Sequence, residues 1–255
     1  MISMKLARRG FTIVEISIFL AITGLLFVGI TAGVQNSIFQ QRYTDAVQSF
    51  ADFLRSAYDE VLNVQSAGDG ISDSAIYGKV IVFGEDGQPD GSQVVYTYTA
   101  IGDVEEKEKA NECEAWFDVY RLMGCLNTDV AINKGIIGSY TPRWSTRIQK
   151  TNQPDRFTGT VIIVRHPDSG RVHTAFSRSV ISIGGVGGTS LNELLKLYDS
   201  EDGFKEEAID FCVNPNGDEY SSSRADVRIE EGASNASGVE VIMDEGNNKC
   251  RGGSS

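Results

Sequence analysis

Glu15 is the only charged side chain between Arg9 and Arg42. It sits near the start of a segment that is otherwise apolar or uncharged. A lone carboxylate at the bilayer centre costs about 2.5–3.5 kcal/mol on insertion scales. A chain keeps such a group when it has a partner, so Glu15 is the first candidate for function. The cysteines come next: Cys113, Cys125, Cys212 and Cys250. They form no C-x-x-C, and His166 and His173 complete no zinc spacing. In an exported domain their expected use is two disulfides. Of the connectivities open to them, sequence proximity favours Cys113 with Cys125 and Cys212 with Cys250, because short loops close more easily. Buried free thiols are the alternative. The third group is a basic stretch over residues 141–180, where Arg143, Arg147, Lys150, Arg156, Arg165, Arg171 and Arg178 face only Asp155 and Asp168. Trp144 and Phe157 interleave with them. Arginines among aromatic rings suit a nucleic-acid strand. They equally suit acidic segments such as 103–118 and 199–210 of a neighbouring subunit. The chain carries a formal charge of −12, which argues against DNA. A subunit docking patch of Arg143, Trp144, Arg147, Lys150, Arg165 and Arg171 is the expectation.

No set of residues points to catalysis. His166 and His173 flank a His-Pro-Asp-Ser-Gly turn and read as turn residues. The nucleophile signature Gly-x-Ser-x-Gly is absent. Residues 184–190 form a glycine-rich run before a helical pattern, yet lack the Gly-Lys-Ser/Thr ending of a phosphate loop. The acidic turns 85–91 and 199–203 could offer oxygen ligands to calcium, although neither has EF-hand spacing, and solvated loops are the favoured reading. The expectation is a protein that is not an enzyme, with no cofactor and no metal.

Residues 11 to about 65 read as one long helix. Its first half is apolar all round, as a bilayer span requires. Its second half places Val47, Phe50, Leu54, Ala57, Tyr58, Val61 and Leu62 at i, i+3, i+4 spacing. A breaker cluster at residues 66–70 ends it. Short strands follow. Residues 79–83 pair with 93–99, and 160–165 pair with 171–176, with 179–183 as an extension. Further strands fall at 208–213, 226–229 and 238–243. A helix opens at Ser190 with Glu193 as its capping box. Residues 103–158 show no clear period and read as a large insertion. Frequent glycine, with 27 against 5 prolines, fits a turn-rich β-domain. Lys5, Arg8 and Arg9 hold the N-terminus in the cytoplasm, so everything beyond about residue 38 lies outside.

Arg8-Arg9-Gly10, then Phe11-Thr12-Ile13-Val14-Glu15, then a long apolar run together resemble the class III signal of type IV prepilins and pseudopilins. In that family a prepilin peptidase cuts after the glycine and N-methylates the new first residue. The resemblance implies cleavage between Gly10 and Phe11, a methylated Phe11, and an assembly role for Glu15. Many major pilins carry a proline where this chain has Ala32. Gly24, Gly29 and Gly33 lie nearby and serve either local unwinding or close packing of helices in lipid. Phe211-Cys212-Val213-Asn214 and the strand-turn-strand run from Arg224 to Val241 resemble the C-terminal end of H-type minor pilins and pseudopilins. The implied fold is α+β: a long N-terminal membrane-spanning helix packed against a β-sheet-rich, mostly antiparallel pilin-like head with insertions. The implied organisation is a leader (1–10), a transmembrane or filament-core helix (11–38), its amphipathic continuation (39–66) and a globular head (67–255). The implied function is that of a minor type IV pilin or pseudopilin, in a pilus or a type II secretion filament. Its partners would be other pilins or pseudopilins, the prepilin peptidase, the inner-membrane assembly platform and, before assembly, membrane lipid. It would start as a single-pass inner-membrane protein and end at the cell surface. The rival is a monomeric membrane-anchored extracytoplasmic binding protein for adhesion or DNA capture.

Overall fold

A computed structural model describes residues 12–63, 74–84, 93–103, 131–151, 156–165, 170–178, 205–215, 225–243 and 250. The chain divides into two units, Met1–Thr44 and Asp45–Ser255. The division falls inside helix α1, Ile13–Leu62. In the first unit every described side chain of α1 except that of Tyr43 is exposed, among them Phe19, Leu25, Phe27 and Ile30. The segment is long and apolar enough to cross a membrane. Three of its hydroxyls bond to the helix's own carbonyls: Ser17 Oγ donates to Ile13 O at 2.9 Å, Thr23 Oγ1 to Phe19 O at 2.7 Å and Thr31 Oγ1 to Phe27 O at 2.9 Å. Such back-bonding to i−4 carbonyls lets polar residues sit in an apolar helix.

The second unit begins with the last turns of α1. There Val47, Phe50, Leu54, Ala57, Tyr58 and Val61 are buried, joined by Ala46 and Ala51. This is the apolar stripe that the helical spacing predicts. Among the described residues nine strands follow: β1 (Ser74–Phe83), β2 (Val95–Asp103), β3 (Ala131–Tyr140), β4 (Arg147–Gln149), β5 (Gly159–Arg165), β6 (Val172–Ser177), β7 (Ile209–Asn214), β8 (Ala225–Ile229) and β9 (Val239–Ile242). They form two antiparallel sheets, β3-β2-β1-β5-β6 and β4-β7-β8-β9. Successive residues of a strand point to opposite faces. Val80, Ile81, Val82 and Phe83 are all buried, and so are Val161, Ile162, Ile163 and Val164. The centre of the first sheet is therefore covered on both faces.

One aromatic cluster joins the helix to both sheets. Phe50 packs edge-on against Phe83 and Phe211, with ring centroids 6.3 and 5.5 Å apart. Phe157 lies 4.6 Å from Phe211 and 5.1 Å from Phe83. Burying a Phe contributes about 1.5–3 kcal/mol, and ring pairs of this geometry add to it. Polar ties reinforce the helix. Tyr58 Oη lies 2.7 Å from Thr174 Oγ1, which donates to Ala233 O at 2.9 Å. A carbonyl only accepts, so the Thr174 hydrogen is committed and Tyr58 is the donor of the pair. Arg165 Nη1 donates to Leu62 O at 3.0 Å and so satisfies a carbonyl of the last helical turn. Gly159, at φ 152°, lies where a Cβ would come within 2.6 Å of the Phe176 ring and the Ser177 carbonyl. Its missing side chain lets β5 meet β6 there.

The stretch read as an insertion contributes to both sheets. β3 pairs with β2, and β4 pairs with β7. Their pattern was hard to see because β3 holds Gly135 and Gly138 and β4 spans only Arg147–Gln149. α1 ends at Leu62 rather than near residue 65. The expected helix at 190–198, the strand at 179–183 and most of residues 103–130 lie outside the described residues.

Candidate functional site

Thr12 and Glu15 form a reciprocal cap at the start of α1. The Thr12 backbone N–H and hydroxyl donate to Glu15 Oε2 at 2.9 and 3.0 Å, and the Glu15 N–H donates to Thr12 Oγ1 at 3.3 Å. This is a capping box. It also places a negative charge at the positive end of the helix dipole. The Thr-x-x-Glu spacing carried this information, which a reading of Glu15 as a lone carboxylate passes over. The exposed apolar surface of residues 13–39 begins directly after it. Gly10 and Phe11 lie outside the described residues. A Cβ added at Gly24, Gly29 or Gly33 would meet nothing within 4 Å.

The second candidate is the turn between β3 and β4. Arg143–Ser145 is a 3₁₀ turn in which Trp144 adopts φ 56° and ψ 38°. Trp144 is the one non-glycine with positive φ among the described residues. Such a conformation is rare for a bulky side chain and costs on the order of 1–3 kcal/mol. The frame around it is firm. Thr146 donates to Arg143 O through both its N–H, at 3.1 Å, and its hydroxyl, at 2.8 Å. Tyr140, just before the turn, stacks on Phe53 of α1 with centroids 4.7 Å apart. Just after it, buried Ile148 donates its N–H to Gln93 Oε1 at 2.8 Å. Gln93, buried at the foot of β2, also donates to Phe157 O at 3.5 Å. No spacing in the sequence marks Gln93 or Tyr140 for this task. The result is an indole 55% exposed on a fixed turn, with Arg143 and Arg147 exposed beside it.

The six expected docking residues do not share one face. Tyr140 lies across from Val95, Val95 from Phe83 and Phe83 from Gly159, so the Trp144 turn follows the Gly159 end of the first sheet. Arg165 pairs with Val172 at the opposite end of β5. Six residue steps along a strand amount to about 20 Å. Arg165 is also occupied at the end of α1. Arg171, exposed, adjoins Val172 at that far end. Arg143, Trp144 and Arg147 remain together, with half-buried Lys150 following β4.

Cys212 and Cys250 are bonded, with Cα atoms 5.2 Å apart. The bridge ties the C-terminal segment to β7. Cys113 and Cys125 lie outside the described residues, as do His166, the acidic turns 85–91 and 199–203, and the glycine run 184–190. His173 Nδ1 is 3.4 Å from Glu206 Oε1. Among the described residues no cluster of three His, Cys, Asp or Glu side chains could hold a metal. Comparison with protein-family models, with curated proteins and with solved structures gives no match.

Proposed function

We propose that the chain is a minor type IV pilin or pseudopilin, a structural subunit that leaves the inner membrane for an extracellular or envelope filament. The carrying observation is the ordered run Gly10, Phe11, Glu15 and then an apolar helix whose surface is open from residue 13 to 39. Such a surface must be covered by lipid or by other helices. Cleavage after Gly10 strips the basic leader and leaves the Phe11 amine beside Glu15. Within a filament core, Glu15 pairs with the first residue's amine of a neighbouring subunit. A matched pair there offsets the desolvation that either charge alone would suffer. The amphipathic part of α1 packs within the head through its aromatic and Tyr58 ties.

The test is the mass of the N-terminal peptide from exported protein. A chain beginning with methyl-phenylalanine at position 11 is expected. An intact start at Met1 or Met4 overturns the proposal and leaves a membrane-anchored binding protein.

A further inference from the structure

The loop that joins β8 to β9 is fixed from within and open on its outer side. The Glu230 N–H donates to Gly238 O at 2.9 Å, the Ala233 N–H to Glu230 O at 3.1 Å and the Gly238 N–H to Asn235 O at 3.1 Å. Ala233 and Gly238 are buried, and the Ala233 carbonyl accepts from Thr174 Oγ1 at 2.9 Å. Glu231, Gly232, Ser234, Asn235 and Ser237 are exposed. Asn235-Ala236-Ser237 is the one place in the chain where an asparagine is followed two residues later by Ser or Thr. That spacing, with a residue other than proline between, is the acceptor pattern for N-linked sugar, and in an exported domain it requires a surface loop. The β8–β9 loop meets that requirement.

The two side chains of the pattern are in contact. Asn235 Oδ1 accepts from the Ser237 N–H at 2.8 Å and from the Ser237 hydroxyl at 2.5 Å. The N–H bond alone caps the short 3₁₀ turn Ala236–Gly238. The hydroxyl is not needed for the cap, yet it is the group the acceptor pattern demands. Both bonds hold Oδ1 toward the turn. Nδ2, on the other arm of the amide, donates to no described residue. Hydrogen bonds at the oxygen also draw electron density out of the amide, which makes an Nδ2 proton easier to remove.

We propose that Asn235 is glycosylated through Nδ2, with a lipid-pyrophosphate-linked oligosaccharide as the donor. A base of the transferring enzyme takes one proton from Nδ2. Nδ2 then forms a bond to the anomeric carbon of the first sugar. The bond from that carbon to the pyrophosphate oxygen breaks, and the lipid pyrophosphate leaves with the electron pair. Nothing is oxidised or reduced. A glycan here is bulky and solubilising. It stands at the entry to β9, the last strand in the order of the second sheet, and outer strands are where chains pair wrongly with one another. The inference rests on the head lying outside the membrane and not on filament assembly.

The full chain is purified from the envelope of its own host, and the peptide holding Asn235 is fragmented under conditions that leave sugars attached. The wild-type peptide is expected to be heavier by whole sugar residues, all placed on Asn235. Asn235→Gln loses the added mass. Ser237→Ala keeps the backbone cap and loses it as well, whereas Ser237→Thr, which restores a hydroxyl, retains it. The proposal is overturned if wild type carries a bare Asn235, if Ser237→Ala keeps the sugar, or if the sugar sits on Ser234 or Ser237. The same digest reads the Cys212–Cys250 bridge and the N-terminal peptide. A bare Asn235 in a chain that has the bridge and a methylated Phe11 removes this inference alone. A sugar on Asn235 of a chain that still begins at Met1 upholds it and removes the filament reading alone.

Discussion

Two residues carry most of the chemistry that can be tested one side chain at a time. Glu15 is held by Thr12 within its own chain, so its carboxylate is already solvated before any partner arrives. Glu15→Leu should then leave membrane insertion intact, since it removes a charge from an apolar helix. It should abolish or sharply reduce incorporation into filaments, measured by comparing the variant in membrane and sheared-filament fractions. Normal incorporation would sink the proposed pairing. Thr12→Val separates the two tasks of Glu15, because it removes the hydroxyl half of the cap and keeps the charge. Tyr58 is the second residue. It lies well beyond the apolar stretch and is fully buried in the head. Burial pushes its hydroxyl up from 10.0 to about 12. The folded state thus keeps a proton that the unfolded chain gives up. The stabilising difference is complete below pH 10, falls as pH rises from 10 to about 12, and levels off above. A two-unit difference amounts to about 3 kcal/mol. Tyr58→Phe should lower stability at neutral pH by about 1 kcal/mol through the lost hydrogen bond, and should flatten the alkaline decline. Melting curves of both proteins across that pH window decide it. A parallel decline in the variant would place the alkaline loss on another group.

At the scale of elements, the sequence was informative where a single physical rule governed a stretch. The i, i+3, i+4 stripe from Val47 to Val61 packs on the head as its spacing demands. The β1–β2 and β5–β6 hairpins follow from turn residues between apolar runs. β3 was not legible, because its glycines interrupt alternation and its stability comes from pairing with β2, a non-local contact. β4 was not legible for a different reason. It is short, and its place beside β7 is secured by Gln93, a buried amide whose importance appears only when Ile148 is next to it. The docking patch illustrates the same boundary. Its arginines cluster in sequence, yet strand register carries Arg165 and Arg171 about 20 Å away from Trp144. The Cys212 and Cys250 pairing was reachable from loop length alone. A separation of 38 residues gives a stabilisation of about 4 kcal/mol in the chain-entropy model. Both cysteines are buried, so Cys212→Ala with Cys250→Ala should lower unfolding free energy by about 2–4 kcal/mol in denaturant titrations. A loss under about 1 kcal/mol would mean that contacts other than the bridge hold the C-terminus on β7.

For the molecule as a whole, the relevant comparison is between what the helix needs and what the head occupies. Helices packed in a core stand 8–10 Å apart. A compact domain of the length from Asp45 to Ser255 has a radius of gyration of about 17 Å. Heads of that size cannot sit side by side on every helix of a tightly packed core unless neighbouring heads are offset along it or most positions are taken by smaller subunits. A small number of copies among a more compact principal subunit meets no such constraint. Purified filaments should accordingly contain this chain at a small fraction of the principal subunit, measured by quantitative mass spectrometry of peptides from both. Equal abundance would overturn the minor role.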